Sequence, residues 1–291
     1  MRAVRRRSRA RSGGPPRAAA ASIAPAGRWR HPCARLVSAR KSLDRCLSRA
    51  GLCSRGAARR AILAGRVTVN GRVVRDPDLR VRPDVDRIAC DGAPLRPAAK
   101  EVWMLHKPVG YVTTRADELG RATVYALLPD AAPWLAPVGR LDRDTSGMLL
   151  FTNDSELANA ITDPATKLPK TYVARCAGVL TDAALRLLAG GVELADGPTR
   201  PAKVTVLERS AADTTITVVL TEGRNRQVRR MLEAVGSAVL TLHRPRIGPL
   251  ALGSLPVGTA RRLADHEVAA LRAAFTPVPG RGRPRPPRRA A

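Results

Sequence analysis

The sequence predicts an α+β protein in two parts: a small helix–helix–hairpin unit, then a larger domain with a mixed, mostly antiparallel sheet backed by helices. Three observations predict this. Two serine-capped helical segments and an Asn-Gly hairpin signal fall within residues 41–98. Beyond them, strand-like runs follow one another with short breaks instead of alternating with helices, as a doubly wound parallel sheet would require. The stretch LRPAAK separates the two regions as a linker.

Residues 1–40 are low in complexity and rich in arginine; they are expected to stay disordered, because they offer too little apolar surface to offset the entropy of ordering. Ser42 is placed to cap a first helix carrying Leu43, Leu47 and Ala50. Ser54 is placed to cap a second, running through Ile62 and Leu63 and stopped by Gly65. RVTVNGRVV alternates apolar and polar residues around Asn70-Gly71, and DRIACDGAPL supplies one more strand. The second helix carries Arg55, Arg59 and Arg60 on or near one face, which makes this unit a basic module.

In residues 101–275, VWMLHKPVGYVTT, MLLFTND, KTYVARCAGV, PAKVTVLERS and TTITVVLTEG read as strands. SELANAITD and DAALRLLAGG read as helices. RQVRRMLEAVG is a further helix, with Val228, Met231, Leu232 and Val235 on one side and Arg226, Arg229, Arg230 and Glu233 elsewhere. Residues 276–291 form a Pro/Arg tail, also expected to be disordered.

The formal charge is +27. Eleven arginines lie in residues 1–40 and five in 275–291, where no acid occurs, so +11 remains on the intervening body. A body that basic suits a polyanionic partner. Cys33, Cys46, Cys53, Cys90 and Cys176 form no CxxC pair, which argues against a zinc site or a disulfide framework. No apolar run approaches the ~18 residues of a membrane span. A bacterial cytoplasmic location is expected, with organelle targeting by the arginine-rich N-terminus as the alternative. No heptad seam is visible, and a monomer is the default reading.

GRLDRDTSG, residues 139–147, sets two aspartates between two glycines and runs into apolar MLLF. Three chemistries suit it. Asp142, Asp144 and Ser146 with Gly147 match the start of a calcium-binding loop, but the ninth and twelfth positions are Leu150 and Asn153, and no bidentate glutamate follows. Asp144, Thr145 and Ser146 can bond the backbone of a turn. Or Asp142 is reactive, kept ionised by neighbouring arginines and used as a nucleophile or base.

Two resemblances bear on that choice. SLDRCLSRAGLCSRGAARRAILAGRVTVNGRVV resembles the alpha-L RNA-binding motif named for ribosomal protein S-four, although Ala57 stands where members often carry the acid of a capping box. HKPVG, GRLDRDTSGMLLFTND, KTY, EGRNRQVRRM and LTLHRPRIGPLALGSLPVGTARRL are similar, in that order, to motifs of pseudouridine synthases of the RsuA/RluB type. The combined match spans residues 42 to about 272.

The resemblance implies a pseudouridine synthase catalytic domain acting on ribosomal RNA, with the large-subunit (23S-type) branch favoured over 16S-type by the arginine-rich NRQVRRM. It implies that Asp142 attacks the target nucleotide, that Tyr172 packs on the uracil and is a proton-transfer candidate, and that Arg229 pairs with the catalytic carboxylate. Arg140 would contact the RNA and help hold the base out of the stack, while Arg226 and Arg230 would meet phosphates. An isomerisation with no net redox change needs neither metal nor small-molecule cofactor. TNDS stands here where members usually have TNDG, so Ser155 is expected to alter the turn after the strand. The competing reading is a noncatalytic, ribosome-associated RNA binder.

Overall fold

The computed structural model describes residues 40–96, 99–130 and 134–275. The expected basic arm, apart from Arg40, and the Pro/Arg tail lie outside them.

The small unit runs β1 (Lys41–Ser42), α1 (Leu43–Arg49), α2 (Arg55–Leu63), β2 (Val67–Val69), β3 (Arg72–Val74), β4 (Arg80–Val81), β5 (Ile88–Cys90) and β6 (Ala93–Pro94). Leu43 and Leu47 on α1, and Ala58 and Ile62 on α2, recur four residues apart, so each pair shares a helix face; they bury against Val67, Val81 and Ile88. At Asn70 (φ 53°) and Gly71 (φ 81°) both turn residues are left-handed, a turn whose twist matches that of the paired strands. Asp91 (φ 51°) and Gly92 (φ 77°) repeat this pattern and add β6, giving a four-stranded sheet β3-β2-β5-β6 where one further strand was expected.

Ser54 caps α2, accepting from the Ala57 N–H at 3.0 Å. Ser42 stands at the N-cap of α1 but does not cap it; its hydroxyl donates to Asp44 Oδ1 at 2.6 Å, since an ionised carboxylate is the stronger partner.

The larger domain continues with β7 (Val102–Lys107), β8 (Ala136–Val138), β9 (Ser146–Thr152), α3 (Ser155–Thr162), β10 (Lys170–Ala177), α4 (Asp182–Gly190), β11 (Glu193–Leu194) and β12 (Gly197–Pro198). There follow β13 (Lys203–Arg209), β14 (Asp213–Leu220), α5 (Gln227–Ala234), β15 (Val239–Ile247), β16 (Leu250–Ala251), β17 (Ala260–Arg262) and α6 (Asp265–Ala273). The main sheet has the order β13-β14-β10-β15-β9-β7-β17, with β8 on β9 and β16 on β15. Its named pairs are antiparallel except β15 with β9, which meet in parallel at His243↔Ser146 and Arg244↔Gly147. The sheet is thus mixed and mostly antiparallel.

Alternation explains the layers. In β14 one face, Thr214, Ile216, Val218 and Leu220, is buried. β9 is buried on both faces. Met148 and Leu150 pack with Leu157, Ile161 and Leu271 from the helices; Leu149 and Phe151 pack with Leu105, Val124, Leu135 and Leu141. Leu141 therefore anchors the chain one residue before Asp142, and a fully buried leucine contributes about 1.5–3 kcal/mol.

Two expectations change. The run VWMLHKPVGYVTT is strand only to Lys107: Pro108 has no N–H for the ladder, and at Gly110 (φ 99°) the chain turns so that its N–H reaches Arg143 O at 2.7 Å. Ser155 opens α3 instead of shaping a turn, because Asp154 caps that helix, accepting from the Glu156 and Leu157 N–H groups.

Candidate active site

The 139–147 loop is braced from three sides. Thr113 Oγ1 donates to Leu141 O at 2.7 Å, and the Gly110 N–H holds Arg143 O. From below, Lys107 donates through Nζ to Thr145 O at 2.8 Å, Pro108 O at 2.9 Å and Arg143 O at 3.4 Å. Lys107 is 0% exposed. Burial pushes its ammonium down to about 8, with Asp144 and Asp142 pulling the other way. Gly147 (φ 111°) lets the loop enter β9 against β15, where a Cβ would lie 2.4 Å from Arg244 O.

The Asp142 side chain is 27% exposed. It lines a cleft of about 370 Å³ together with Arg140, Tyr172, Arg226 and Arg244. Arg226 stands at the start of α5 in a left-handed conformation (φ 47°), and its Nη1 lies 3.9 Å from Asp142 Oδ2 and 3.5 Å from Asp144 Oδ1. The turn before α5 is held by Gln227, which donates to Glu222 at 2.5 Å and accepts from the Arg224 N–H at 3.1 Å.

Tyr172 sits on β10 beside a register shift, Thr171↔Arg246 being followed by Val173↔His243, so β15 carries an extra residue there. Such a bulge re-aims side chains. Here it accompanies a contact between Arg244 Nη1 and the Tyr172 hydroxyl at 3.3 Å. Arg244 is 4% exposed and also donates through Nε to Met148 O at 2.9 Å.

The expected residues divide. Asp142, Tyr172, Arg140 and Arg226 share the cleft. Arg229 does not pair with Asp142: it is 7% exposed and packs behind the loop, with Nη2 at 3.0 Å from both the carbonyl and the carboxylate of Asp144. The reason is geometric, since α5 turns Arg229 inward among its apolar residues while Arg226, one turn earlier, reaches over the rim. Arg230 is held by Asp196.

In the small unit, Arg55 Nε and Arg59 Nη1 bind Asp44 at 2.7 and 3.1 Å, and Arg59 also binds Asp78. Arg60 is exposed. Asp44 is 0% exposed. Burial pushes its carboxyl up, but hydrogen bonds from Ser42, Arg55, Arg59 and the Arg45 N–H outweigh burial and hold it at about 2.

Lys107, Arg244 and Asp44 escaped the sequence reading. A lysine ending the apolar run VWMLHK was a usable signal for the first; periodicity carries none for Arg244, whose role depends on a bulge and a parallel neighbour. The calcium-loop alternative fails on geometry, because the chain is already strand from Ser146 and Leu150 is buried in the core.

Together these groups offer a partly open carboxylate, a phenol and several cations around one hollow large enough for an extruded base. Comparison with known proteins agrees. A family model described as RNA pseudouridylate synthase matches residues 101–234, and an S4 domain model matches residues 42–86. An RNA pseudouridine synthase of Aquifex aeolicus is 41% identical over 231 residues, covering 79% of this chain and 92% of that protein. Ribosomal large subunit pseudouridine synthase B of Bacillus subtilis is 40% identical over 233 residues, covering 79% and 95%. A crystal structure of a pseudouridylate synthase superposes with a TM-score of 0.58 at 31% identity, over 80% of this chain and 100% of that one. With this identity sustained across both the small unit and the sheet domain, the chain belongs to the RNA pseudouridine synthase family and is an isomerase of RNA uridine.

Proposed function

We propose that the protein converts a specific uridine of large-subunit ribosomal RNA to pseudouridine, with Asp142 as the reacting carboxylate. The observation that carries this is the placement of Asp142, partly open on a braced loop, in one cleft with Tyr172 and the cations Arg140 and Arg226. The large-subunit assignment is supported by the names of the Bacillus subtilis and Escherichia coli O157:H7 relatives, each 40% identical.

The chemistry requires the sugar-to-N1 bond to break, the base to turn, and a bond to carbon 5 to form; the carbon 5 proton leaves and N1 gains one. Asp142 acts as the reacting carboxylate, with Arg226 Nη1 3.9 Å away in the free protein. Tyr172 packs on the extruded uracil and handles a proton. Arg140 engages the RNA beside the flipped base. Arg226 screens Asp142 in the free protein and turns to a phosphate when RNA arrives, while Arg229 acts through Asp144 by holding the loop.

Residues 41–98 grip a neighbouring stem, Arg60 and the outer edges of Arg55 and Arg59 meeting phosphate, and residues 101–275 carry the chemistry. Arg230 is a weaker phosphate ligand, since Asp196 already holds it. The protein works as a monomer in a bacterial cytoplasm. Among the described residues no helix is long and apolar enough to cross a membrane.

The test is incubation with ribosomal RNA lacking the modification, followed by pseudouridine mapping. One large-subunit site is expected, and Asp142→Asn should abolish product while leaving RNA affinity nearly intact. Full activity of Asp142→Asn removes the carboxylate assignment, a small-subunit site overturns the substrate, and no product on any ribosomal RNA leaves a binder.

A further inference from the structure

We propose that Arg244 is a positioning residue for the Tyr172 hydroxyl, fixing the phenol oxygen as an acceptor so that the phenol's own proton points into the nucleotide cleft. The inference rests on the reading of Tyr172 as part of the reacting site.

A guanidinium carries only donors. In the 3.3 Å contact from Arg244 Nη1, the Tyr172 oxygen must therefore accept. The phenol proton is then free for a different partner. No other hydrogen bond of this hydroxyl occurs among the described residues, and Tyr172 lines the cleft that holds Asp142. The hydroxyl is thus preset as a donor toward whatever base enters.

Arg244 is itself held stiffly. Its Nε is tied to Met148 O at 2.9 Å, and its backbone lies against Gly147 in the parallel β15/β9 contact, where no Cβ could fit. Packing does not account for it. Arg244 is among the buried residues, yet its buried Nη2 finds no acceptor among the described residues, and a buried donor left unpaired costs stability. A residue kept only for the core would be better replaced by an apolar one.

The test is a double-mutant cycle on Arg244→Gln and Tyr172→Phe, read as the single-turnover rate at saturating ribosomal RNA and, separately, as RNA affinity. Arg244→Gln should lower the rate roughly 10- to 100-fold, the span of one charge-assisted hydrogen bond. Affinity should change less than about twofold, well under a tenfold step of binding energy. In the Tyr172→Phe background the same substitution should cost no further rate, because the group it acts through is gone. Arg244→Lys, which keeps a charged donor, should recover part of the rate; it also replaces Arg244→Gln in the cycle if circular dichroism shows that variant unfolded. Losses that multiply in the double variant overturn the proposal and leave Tyr172 in place. A loss of affinity with the rate unchanged overturns it in favour of a phosphate contact. Full activity of Tyr172→Phe removes the reading of Tyr172 and this proposal together.

Discussion

Gly147→Ala should damage the protein more than any other single methyl group added to the 139–147 loop. The native φ of 111° is one that L side chains rarely adopt. Residues forced into such regions cost about 1–3 kcal/mol. The added Cβ would also lie 2.4 Å from the oxygen, 2.5 Å from the nitrogen and 2.8 Å from the carbon of the Arg244 backbone. These atoms sit in the middle of a sheet and cannot swing aside like a flexible side chain, so overpacking adds a further ~1–3 kcal/mol. The total is about 2–6 kcal/mol, or roughly 5–20 °C in the melting temperature of a domain this size.

Activity should fall further than stability. Prising β9 from β15 moves Arg244 away from Tyr172 and loosens the loop bearing Asp142. Gly139→Ala is the internal control: its φ is 75°, but its Cβ would meet only a Thr162 methyl at 3.7 Å, so the left-handed penalty of about 1–2 kcal/mol is all it carries. Thermal unfolding by circular dichroism, with pseudouridine formation assayed well below the transition, compares the two. A Gly147→Ala protein that melts no lower than Gly139→Ala and turns over at the parental rate would refute the close-approach reasoning.

Arg229→Ala should destabilise the protein by about 2–3 kcal/mol, because it strips charge-assisted bonds from Asp144 and its carbonyl; urea unfolding measures this, and a loss confined to RNA affinity would instead make Arg229 a phosphate contact. Lys107 has a folded-state value near 8 against an ordinary 10.5, so the unfolded chain binds more protons between these limits and this residue's contribution to stability rises with pH across that window. The stability difference between the parent and Lys107→Met should therefore shift toward the parent from pH 8 to 10.5, and a flat difference would contradict the lowering of Lys107 by burial. Asp44, held at about 2, contributes stability that is present above pH 4 and lost as pH falls toward 2. Asp44→Asn should cost about 1–3 kcal/mol at neutral pH in chemical denaturation, and unchanged stability would mean that Arg55 and Arg59 do not need their buried partner.

Much of this molecule could be read along the chain. The serine cap of α2, the Asn70-Gly71 hairpin and the alternation in β14 are local devices, each set by residues within a few positions of one another. Motif order singled out Asp142 and Tyr172, and the fold brings both to one cleft. Arg229 shows the limit: the family resemblance implied a partner for Asp142, yet helix phase turns it inward to Asp144, and it is Arg226 that lies within 4 Å of Asp142.

The sequence by itself determined the two-part α+β organisation, the basic character and the loop that carries the carboxylate, because turns, caps and side-chain alternation depend on neighbours in the chain. Tertiary structure alone decided that β15 runs parallel to β9, that Lys107 supports the loop from below, and that Arg244 reaches Tyr172. Those contacts join residues 36 to 97 positions apart, and no local preference can encode which distant strand will lie alongside; it is settled when burial of both faces of β9 selects one arrangement of the sheet.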